Sequence, residues 1–536
     1  MFPNPLNRQG TYSVAMVDDV RRVASTVNGL RQTFESGRCR PIEWRLRQLR
    51  GIKAMLEDNR EAWLLAMETA KRKPRTEADL GDLCVAQAEI DTMIANVASW
   101  TKPVECATPL GLMPISTRAE SQPYGVTLVI GPCNYPVSLV VAPFAGAIAA
   151  GNAVLIKPSE MVPEVAQLLA DFARAYLDPD AVQVVLGDAS TTAALLEQQF
   201  DHIIFTGSPR VGKIVAAAAA RYLTPTTLEL GGKCPVILHE STEPIESIAE
   251  KLTWGRLFNG GQTCVAPEYV LVPRGLTSAL AESISKCITK FLGADPSASP
   301  DLGRVASVTS AQRIANLLSA HGGTLVCGGT VDVNERYIAP TVIVDPKEES
   351  LLMNEEVFGP VICLISYETL DGAIAYVNRR PGTPLSLYGF TSDPLVERKL
   401  LDGIPSGNAL FNDVLIHFLN TNIAFGGLGT SGHGALHGKF YFDACRQQRG
   451  VMTKGTSKAV RLLDLQFYLR PAPYNPYLTK AVNLLITKFN FNLPPYYGYK
   501  GAVFVVALAV FGMMYSAGLH VLWLRRFAYW VLDVTA

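Results

Sequence analysis

The middle of the chain alternates short apolar runs with longer stretches whose apolar residues recur at helical spacing. The apolar runs predict strands at residues 125–130, 153–156, 182–186 and 202–206. The stretches between and after them predict helices at residues 137–150, 163–176, 191–199 and 211–222. Strands that are apolar at nearly every position are buried on both faces, as in parallel sheets covered by helices. The pattern therefore predicts a doubly wound α/β domain.

Helical periodicity continues on both sides of this domain. Residues 18–98 are rich in Ala, Leu, Glu and Arg and predict a mostly helical N-terminal region. Residues 245–258 and 278–291 predict helices of a second α/β region. A chain of 536 residues is too long for one compact core, so we expect at least two domains.

Two long stretches of the chain contain no charged residue. Residues 121–156 are interrupted by Gly and Pro, which break any single membrane-spanning helix. Residues 501–524 are not interrupted by Pro and would form a helix of about 36 Å, longer than the roughly 30 Å hydrocarbon core of a bilayer. We predict that this segment is a C-terminal membrane anchor, joined to the body by a linker at 469–500. The alternative is a buried helix of the soluble body.

Charge separates the body of the chain from its C-terminal part. Formal net charge is zero, which argues against a nucleic-acid partner bound through bulk positive charge. The part of the chain from Val451 onward, here called the stalk, contains nine basic and two acidic residues. The stalk is therefore basic, and the body that precedes it is acidic. Basic residues beside an anionic cytoplasmic leaflet favour contact with lipid.

The ten cysteines show no zinc-ligand spacing, so we predict no metal site and reduced thiols.

A glycine motif follows the last predicted strand of the α/β domain. Residues 207–213 approach the P-loop pattern, but Ile214 stands where a P-loop has the Ser or Thr that binds Mg²⁺. A helix that begins after such a turn can still bind a pyrophosphate through its free N–H groups. We favour that interpretation over a purely structural turn. The second glycine motif, at 427–432, is not followed by a clear helix and is interpreted as a loop.

Three polar side chains are candidates for chemistry. Cys264 lies in a Gly-rich loop before a predicted strand, where N–H dipoles or cations can lower a thiol pKa. Glu229 lies between two leucines, where desolvation would raise its pKa and suit a general base. Asn134 follows a strand at the edge where ligands bind in α/β sheets, and its amide could donate to an oxyanion. The plainer readings are a buried cysteine, a salt-bridged glutamate and a turn asparagine.

Seven segments in order resemble the aldehyde dehydrogenase superfamily, and the likeness covers nearly all of residues 18–475. The segments are Gly131-Pro-Cys-Asn-Tyr-Pro136, Lys157-Pro-Ser-Glu160, Phe205-Thr-Gly-Ser208, Leu228-Glu-Leu-Gly-Gly232, Gly261-Gln-Thr-Cys264, Glu355-Glu-Val-Phe-Gly-Pro360 and Phe425-Gly-Gly427. Further segments are similar to the class 3, fatty aldehyde branch, whose members can carry a C-terminal anchor: Ser36-Gly-Arg-Cys-Arg-Pro41, Asn412-Asp413 through His417, His437-Gly-Lys439 and Gln448-Arg449.

The resemblance implies an α/β fold with a Rossmann-type cofactor domain, an α/β catalytic domain and a small bridging or oligomerisation element. We expect the following divisions: N-terminal helices and cofactor domain at 1–228 with bridging strands near 103–122, catalytic domain at 229–430, bridging and C-terminal part at 431–468, linker at 469–500 and transmembrane helix at 501–524. It further implies a homodimer. With the anchor, it implies attachment to a membrane, most plausibly that of the endoplasmic reticulum, with the body facing the cytosol.

The resemblance also implies roles for individual residues. Cys264 would be the nucleophile, Asn134 an oxyanion donor and Glu229 the base that activates the hydrolytic water. The cofactor would be NAD, with NADP possible, and its contacts would be Lys157, Glu160, Gly207, Ser208, Pro209, Arg210, Val211, Gly212, Glu356 and Phe358. Cys133 departs from the family pattern, which has Trp there, and places a second thiol beside Asn134.

The implied reaction is oxidation of medium- to long-chain aliphatic aldehydes to carboxylic acids through a covalent thioester. Two other enzymes remain as alternatives. An enzyme with the same fold could catalyse the reverse reaction, as an acyl-thioester reductase. Glu229 argues against this alternative, because such a reaction has no use for a hydrolytic base. A membrane-tethered P-loop NTPase is opposed by Ile214. A non-catalytic membrane scaffold is opposed by the presence of every proposed catalytic residue.

Overall fold

The structure is a computed structural model that describes residues 18–109, 112, 115–458 and 460, with 472–473, 476, 479–480, 483 and 492–493. Among these residues, no helix has the length and apolar character needed to cross a bilayer. The predicted anchor at 501–524 lies outside the described residues, as does most of the predicted linker.

The α-helices of the described residues are numbered in chain order. They are α1 Asp18–Glu35, α2 Ile42–Asp58, α3 Arg60–Lys71, α4 Arg75–Ala78, α5 Val85–Trp100, α6 Ser138–Ala150, α7 Pro163–Tyr176, α8 Ala189–Leu196, α9 Pro209–Ala220, α10 Ile245–Leu257, α11 Thr277–Leu292, α12 Val308–Ser319, α13 Leu351–Asn354, α14 Leu370–Asn378, α15 Pro394–Gly403 and α16 Lys439–Ala444. A π-helical turn, Asp79–Cys84, joins α4 to α5. The predicted helical N-terminal region is therefore confirmed.

The strands of the described residues are numbered in the same way. They are β1 Val104–Glu105, β2 Thr108–Pro109, β3 Ile115–Pro123, β4 Val126–Ile130, β5 Ala153–Lys157, β6 Val182–Val184, β7 His202–Gly207, β8 Thr226–Leu230, β9 Pro235–Leu238, β10 Tyr269–Pro273, β11 Thr324–Cys327, β12 Val331–Asp332, β13 Tyr337–Ile338, β14 Thr341–Val344, β15 Val361–Tyr367, β16 Ser386–Phe390, β17 Asn408–Phe411, β18 Gly432–His433, β19 Arg446–Lys454 and β20 Asn492–Leu493.

The first large sheet has the order β18-β8-β7-β4-β5-β6. Its strands are parallel except β18, which runs antiparallel to β8. β4 and β5 are buried at every position, which explains why their sequences lack polar alternation. In this order β5 lies on one side of β4, and β7, which comes later in the chain, lies on the other side of β4. The loops after β4 and β7 thus flank a topological switch point, where α/β sheets bind ligands.

The predicted elements of this sheet are confirmed with small shifts at their ends. The largest shift is at α8, which spans Ala189–Leu196 rather than the predicted residues 191–199. The Asp188 carboxylate accepts hydrogen bonds from the N–H groups of Ser190 and Thr191, at 2.8 and 3.4 Å. An aspartate in that position starts a helix earlier than the apolar pattern alone suggests.

The second large sheet has the order β11-β14-β15-β10-β9-β16-β17. It is parallel except for the edge strand β11, which runs antiparallel to β14. Helices α10 and α11 confirm the predicted second α/β region and pack on this sheet through a buried apolar cluster. β10 begins five residues after Cys264, so the sheet holds the far end of the Cys264 loop.

The chain divides into two compact units. One unit comprises residues 1–100 and 123–446, and it holds both large sheets. The other comprises residues 101–122 and 447–536. Its described strands form a three-stranded sheet, β1-β3-β19, and a small pair, β2-β20.

Candidate active site

The loop after β4 carries Asn134 and is held in place by a buried lysine. Lys71, at the end of α3, is 1% exposed. Its Nζ donates hydrogen bonds to the main-chain oxygens of Cys133, at 2.9 Å, and Asn134, at 2.7 Å. Burial and the nearby Lys73 lower the pKa of Lys71 to about 7. The backbone of the Asn134 loop is therefore tied to the N-terminal helices.

A buried ion pair fixes the other end of the same loop. Lys73 Nζ lies 2.6 Å from Asp82 Oδ2, and both side chains are almost fully buried. Asp82 Oδ1 accepts hydrogen bonds from the N–H groups of Val137 and Ser138, each at 3.1 Å. These are orphan donors at the start of α6, so the carboxylate caps that helix. Through these bonds Asp82 ties the start of α6 to the π-helical turn.

Two contacts join the Asn134 loop to the Cys264 loop. Asn259 Nδ2 donates to the main-chain oxygen of Asn134 at 3.0 Å. The Tyr135 hydroxyl and the Thr263 hydroxyl share a hydrogen bond of 2.6 Å. Asn259 and Gly260 adopt left-handed conformations, with φ of 56° and 61°, which turn the chain toward Cys264. The structure thereby brings the two predicted loops together.

The side chain of Asn134 remains available for a ligand. It is buried, at 3% exposure. Its main-chain oxygen accepts the hydrogen bonds described above, whereas no hydrogen bond within the described residues engages its side-chain amide. An amide N–H that has no protein partner can donate to an oxygen atom of a ligand.

Glu229 lies on β8 and is 5% exposed. Among the described residues, neither of its carboxyl oxygens has a hydrogen-bond partner. Burial raises the pKa of Glu229 well above its ordinary value. The sequence-based expectation of a desolvated carboxyl is confirmed, and the alternative of a salt-bridged structural glutamate is not.

Cys264 is partly buried, in the loop between the 3₁₀ turn Phe258–Gly261 and β10. Burial raises the pKa of its thiol, and the carboxyls of Glu356 and Glu229 raise it further. The expectation that local dipoles or cations would lower this pKa is wrong for this arrangement. The main-chain N–H groups of Cys264 and Val265 do act in the predicted direction, but burial and the two carboxyls outweigh them.

A small cavity of about 50 Å³ lies beside Cys264. Apolar and aromatic side chains form most of its wall, and polar groups are few. Besides Cys264, the residues that line the cavity include Tyr135, Leu139, Phe418, Phe425, His437 and Tyr441. The cavity is suited to an uncharged apolar molecule with one reactive end at Cys264.

The predicted cofactor residues at 207–212 form the start of α9, directly after β7. The Ser208 side chain caps the helix by accepting from the Val211 N–H at 3.4 Å, and Pro209 occupies the first helical position. A Cβ at Gly212 would lie 2.6 Å from Leu230 Cδ2, so a larger residue there would require the leucine side chain to shift. The first turn of α9 has main-chain N–H groups without partners inside the helix, and such groups suit a pyrophosphate.

Lys157 and Glu160 lie at the carboxyl end of β5. Lys157 Nζ and Glu160 Oε2 are 2.5 Å apart, with the lysine buried and the carboxylate 38% exposed. The exposed carboxylate fits a ribose, because it can accept from hydroxyl groups. Neither these two residues nor 207–212 line the Cys264 cavity. Glu356, another of the predicted cofactor residues, does act on the thiol, because its carboxyl raises the pKa of Cys264.

The loop that carries Glu356 and Phe358 is anchored by Glu268, a residue that the sequence did not indicate. Glu268 Oε1 accepts from the Val357 N–H at 2.7 Å and from the Phe358 N–H at 3.4 Å. Lys233 and Arg256 lie 3.0 and 3.4 Å from its carboxyl, and all three side chains are buried. Burial opposes the charged form of Glu268, but the two cations prevail and lower its pKa. Burial and the Glu268 charge raise the pKa of Glu356 to about 8.

Several other site residues were also missed from the sequence. They are Lys71, Lys73 and Asp82, which hold the Asn134 loop, and Glu89 and His437, which lie in the cavity wall. For Lys71 and Glu89, the available signal is a charged residue on a helix face that otherwise carries apolar residues. Glu89 in α5 is the clearest case, because Ala86, Ile90, Met93 and Val97 share its buried face.

Comparison with known proteins agrees with this geometry. Residues 3–451 match the model of the aldehyde dehydrogenase family. The chain is 40% identical over 457 residues to aldehyde dehydrogenase family 3 member B1 of Rattus norvegicus, covering 85% of this chain and 95% of that protein.

Solved structures show the same fold. The substrate-bound state of Staphylococcus aureus AldH matches with a TM-score of 0.80 and 34% identity, covering 87% of this chain and 99% of that one. A Mycobacterium tuberculosis aldehyde dehydrogenase complexed with NAD⁺ matches with a TM-score of 0.72 and 26% identity, covering 81% and 90%. The chain belongs to the aldehyde dehydrogenase family and is an NAD(P)⁺-dependent oxidoreductase of that family.

Proposed function

We propose that this enzyme oxidises medium- to long-chain aliphatic aldehydes to carboxylic acids with NAD⁺, through a thioester on Cys264. The observation that carries the proposal is the apolar cavity that Cys264 shares with aromatic side chains, close to the partnerless carboxyl of Glu229. An apolar wall favours an alkyl chain over a charged substrate. The chain-length range rests on the resemblance to the class 3 branch and on the predicted anchor, since long-chain aldehydes partition into bilayers.

In the first step, Cys264 Sγ attacks the aldehyde carbon and the carbonyl oxygen becomes an oxyanion. The Asn134 amide and the Cys264 main-chain N–H donate to that oxygen. Asn134 is prepared for this role, because its backbone is fixed by Lys71 and Asn259 while its side chain is unengaged. Donors that are already oriented stabilise developing charge without reorganisation.

Oxidation of the adduct leaves a thioester that must be hydrolysed. When bound, NAD⁺ supplies the electron acceptor for that oxidation. Glu229 then removes a proton from a water molecule, whose oxygen adds to the thioester carbon and releases the carboxylic acid and the Cys264 thiol. A carboxyl whose pKa is raised by burial is a stronger base than an exposed one.

The residues proposed to hold the cofactor have complementary chemistry. The turn Gly207–Gly212 would receive the pyrophosphate at the N-terminus of α9, and Lys157 and Glu160 the adenosine ribose. Glu356 and Phe358 would contact the nicotinamide ribose and ring. Since the Glu160 carboxylate would repel a 2′-phosphate and Lys157 is already paired with it, we favour NAD over NADP. The related Mycobacterium tuberculosis enzyme was solved with NAD⁺.

A membrane location is proposed from the sequence alone. Residues 501–524 would anchor the enzyme, the basic stalk would face anionic lipid, and the body would face the cytosol as a homodimer, at the endoplasmic reticulum membrane. Removal of residues 500–536 should leave aldehyde oxidation intact and abolish sedimentation with membranes. A truncated chain that still sediments would contradict the anchor.

The reaction is tested by replacing Cys264 with alanine. The variant should lose NADH formation from octanal and hexadecanal, whereas Cys287→Ala, a buried thiol on α11, should retain it. Retained turnover in Cys264→Ala would overturn the mechanism. Adding coenzyme A to the wild-type assay separates the alternative, since a requirement for it would favour an acyl-thioester reductase.

A further inference from the structure

Cys264 occupies the second position of a tight turn. The N–H of Ala266 donates to the main-chain oxygen of Thr263 at 2.9 Å, so residues 263–266 form a β-turn. That bond joins the two outer residues and leaves the central peptide, between Cys264 and Val265, without a partner inside the turn. Turns of types I and II differ in the direction of this central peptide. A contact from outside the turn can therefore fix its direction.

The thiol of Cys234 makes such a contact. Cys234 directly precedes β9 and is fully buried. Its Sγ lies 3.3 Å from the main-chain oxygen of Cys264 and donates a hydrogen bond to it. The main-chain oxygen of Gly232 lies farther from the same sulfur, at 3.5 Å, so the Cys264 oxygen is the nearer acceptor for the single S–H. Within the described residues, no other group donates to the Cys264 oxygen.

The Cys234 sulfur is itself held in place. The Ser386 N–H, at the start of β16, donates to it at 3.4 Å. The sulfur thus accepts one hydrogen bond and donates another, and both roles are open to a thiol. Burial raises the pKa of Cys234 well above its ordinary value, so the sulfur keeps its proton at neutral pH. Cys234 therefore acts as a donor to the Cys264 turn and not as a second nucleophile.

The next carbonyl of the turn is held from the same sheet. Tyr388, on β16, is fully buried, and its hydroxyl donates to the main-chain oxygen of Val265 at 2.6 Å. The Leu415 N–H donates to that hydroxyl at 3.4 Å. β9 and β16 are paired, with Tyr388 opposite Val236, so both donors stand on adjacent strands of the second large sheet. The sheet thereby fixes two successive carbonyls of the turn.

The direction of the central peptide matters to the Cys264 thiol because of the N–H at its other end. In a planar trans peptide the C=O and the N–H point in opposite directions. With its oxygen directed at Cys234, this peptide directs the Val265 N–H away from Cys234. Burial and the carboxyls of Glu356 and Glu229 raise the pKa of the Cys264 thiol, whereas the Val265 N–H is one of two main-chain groups that lower it. The contact at the oxygen thus controls a group that favours the thiolate.

We propose that Cys234 is a positioning residue for the nucleophile: its S–H holds the central peptide so that the Val265 N–H stays directed at Cys264 Sγ. Tyr388 secures the peptide that follows. Without the Cys234 donor, the Cys264 carbonyl loses its partner, and the central peptide can turn between the two orientations. The thiolate would then lose one main-chain donor for part of the time. Neither Cys234 nor Tyr388 lines the cavity. The proposal rests on the proposed role of Cys264 as the nucleophile.

The test measures alkylation of Cys264 in the cofactor-free full-length enzyme, without any turnover. Iodoacetamide is added at a pH of about 8, and modification is quantified by mass spectrometry of the Cys264 peptide. In Cys234→Ala the alkylation rate should fall about threefold or more, as expected for the loss of one hydrogen bond. Cys234→Ser should stay within about twofold of the wild type, because its hydroxyl can still donate. Alanine and serine leave nearly the same space, so the difference between them isolates the hydrogen bond.

The matched control is Cys363→Ala, which removes another fully buried thiol of the same sheet, on β15, and should leave the rate unchanged. A wild-type rate in Cys234→Ala would overturn the proposal. Equal losses in Cys234→Ala and Cys234→Ser would do so too, because packing and not the donor would then be responsible. If Cys234→Ala does not fold, Tyr388→Phe, which loses only a hydroxyl, should show the same fall, and an unchanged rate there would count against the proposal. Loss of NADH formation in Cys264→Ala is a separate result that tests the proposed function.

Discussion

Replacing Glu268 with glutamine removes the one negative charge from a buried group of three charged side chains. Lys233 and Arg256 would then remain buried beside a neutral amide, with exposures of 5% and 2%. The hydrogen bond from the Val357 N–H, at 2.7 Å, can be kept by the amide oxygen. That bond becomes a neutral hydrogen bond in place of a charge-assisted one, so the contact that holds the Glu356 loop weakens when the charge is lost.

The expected loss of stability is large. Removing one partner of a buried ion pair typically costs about 3–5 kcal/mol, because the remaining charge is left unpaired in a low-dielectric interior. Here two cations lose the same partner, at 3.0 and 3.4 Å. The stabilising effect of this carboxylate should be present above its unfolded pKa of about 4.3 and be lost as pH falls through its lowered folded pKa.

Urea unfolding followed by fluorescence would measure the effect, with the KM for NAD⁺ as a second readout. The KM should rise, because Glu356 and Phe358 lie in the loop that Glu268 holds. The matched control is Glu197→Gln, which breaks an exposed pair with Arg221, at 2.8 Å, and should change little because solvent screens those charges. A loss below about 1 kcal/mol in Glu268→Gln, with an unchanged KM, would refute the reasoning.

Three further predictions follow from the site. Asn134→Ala should lower kcat about 10²–10³-fold through loss of one oxyanion donor, measured at saturating aldehyde. Glu160→Gln should raise the ratio of kcat/KM for NADP⁺ over NAD⁺ about tenfold, because one repelling charge is removed. Burial raises the pKa of Glu77 to about 7, so its stabilising effect is complete below its unfolded pKa of about 4.3 and is lost as pH rises through 7. In Glu77→Gln, the unfolding midpoint should therefore fall less between pH 5 and pH 8 than in the wild type.

Each of these predictions has a clear contrary result. An Asn134→Ala variant that retains more than about a tenth of the wild-type kcat would exclude an oxyanion role. An unchanged cofactor ratio in Glu160→Gln would mean that its carboxylate does not face the 2′ position. Parallel pH curves for the wild type and Glu77→Gln would mean that Glu77 does not titrate in that window. The Asn259 N–H bond to Glu77, at 2.8 Å, can persist with glutamine, so the comparison isolates the charge.

Much of the first sheet could be predicted from local pattern. β4 and β5 are apolar throughout, and the helices between strands repeat with helical period, so their limits agree within a few residues. At α8, which begins two residues before its predicted start, a single capping carboxylate is responsible. Such features depend on residues within a few positions of one another, which a sequence displays directly.

The geometry around the thiol could not be predicted in this way. Asn134, Glu229 and Cys264 were identified as candidates, but the direction of the Cys264 pKa shift was not. That direction depends on burial and on Glu356, a residue far along the chain. The anchors of the loops, Lys71 and Glu268, likewise act on groups that only the fold brings near them.

The sequence by itself determined the succession of strands and helices from β4 to α9, the glycine turn before α9 and the three residues on which the chemistry is proposed to depend. The tertiary structure decided which charges are buried and which partners they meet, including Lys233 and Arg256 around Glu268. The physical reason is that periodicity and capping are short-range properties of the backbone. The energy of a buried charge, by contrast, is set by the surroundings that distant segments create when they pack together.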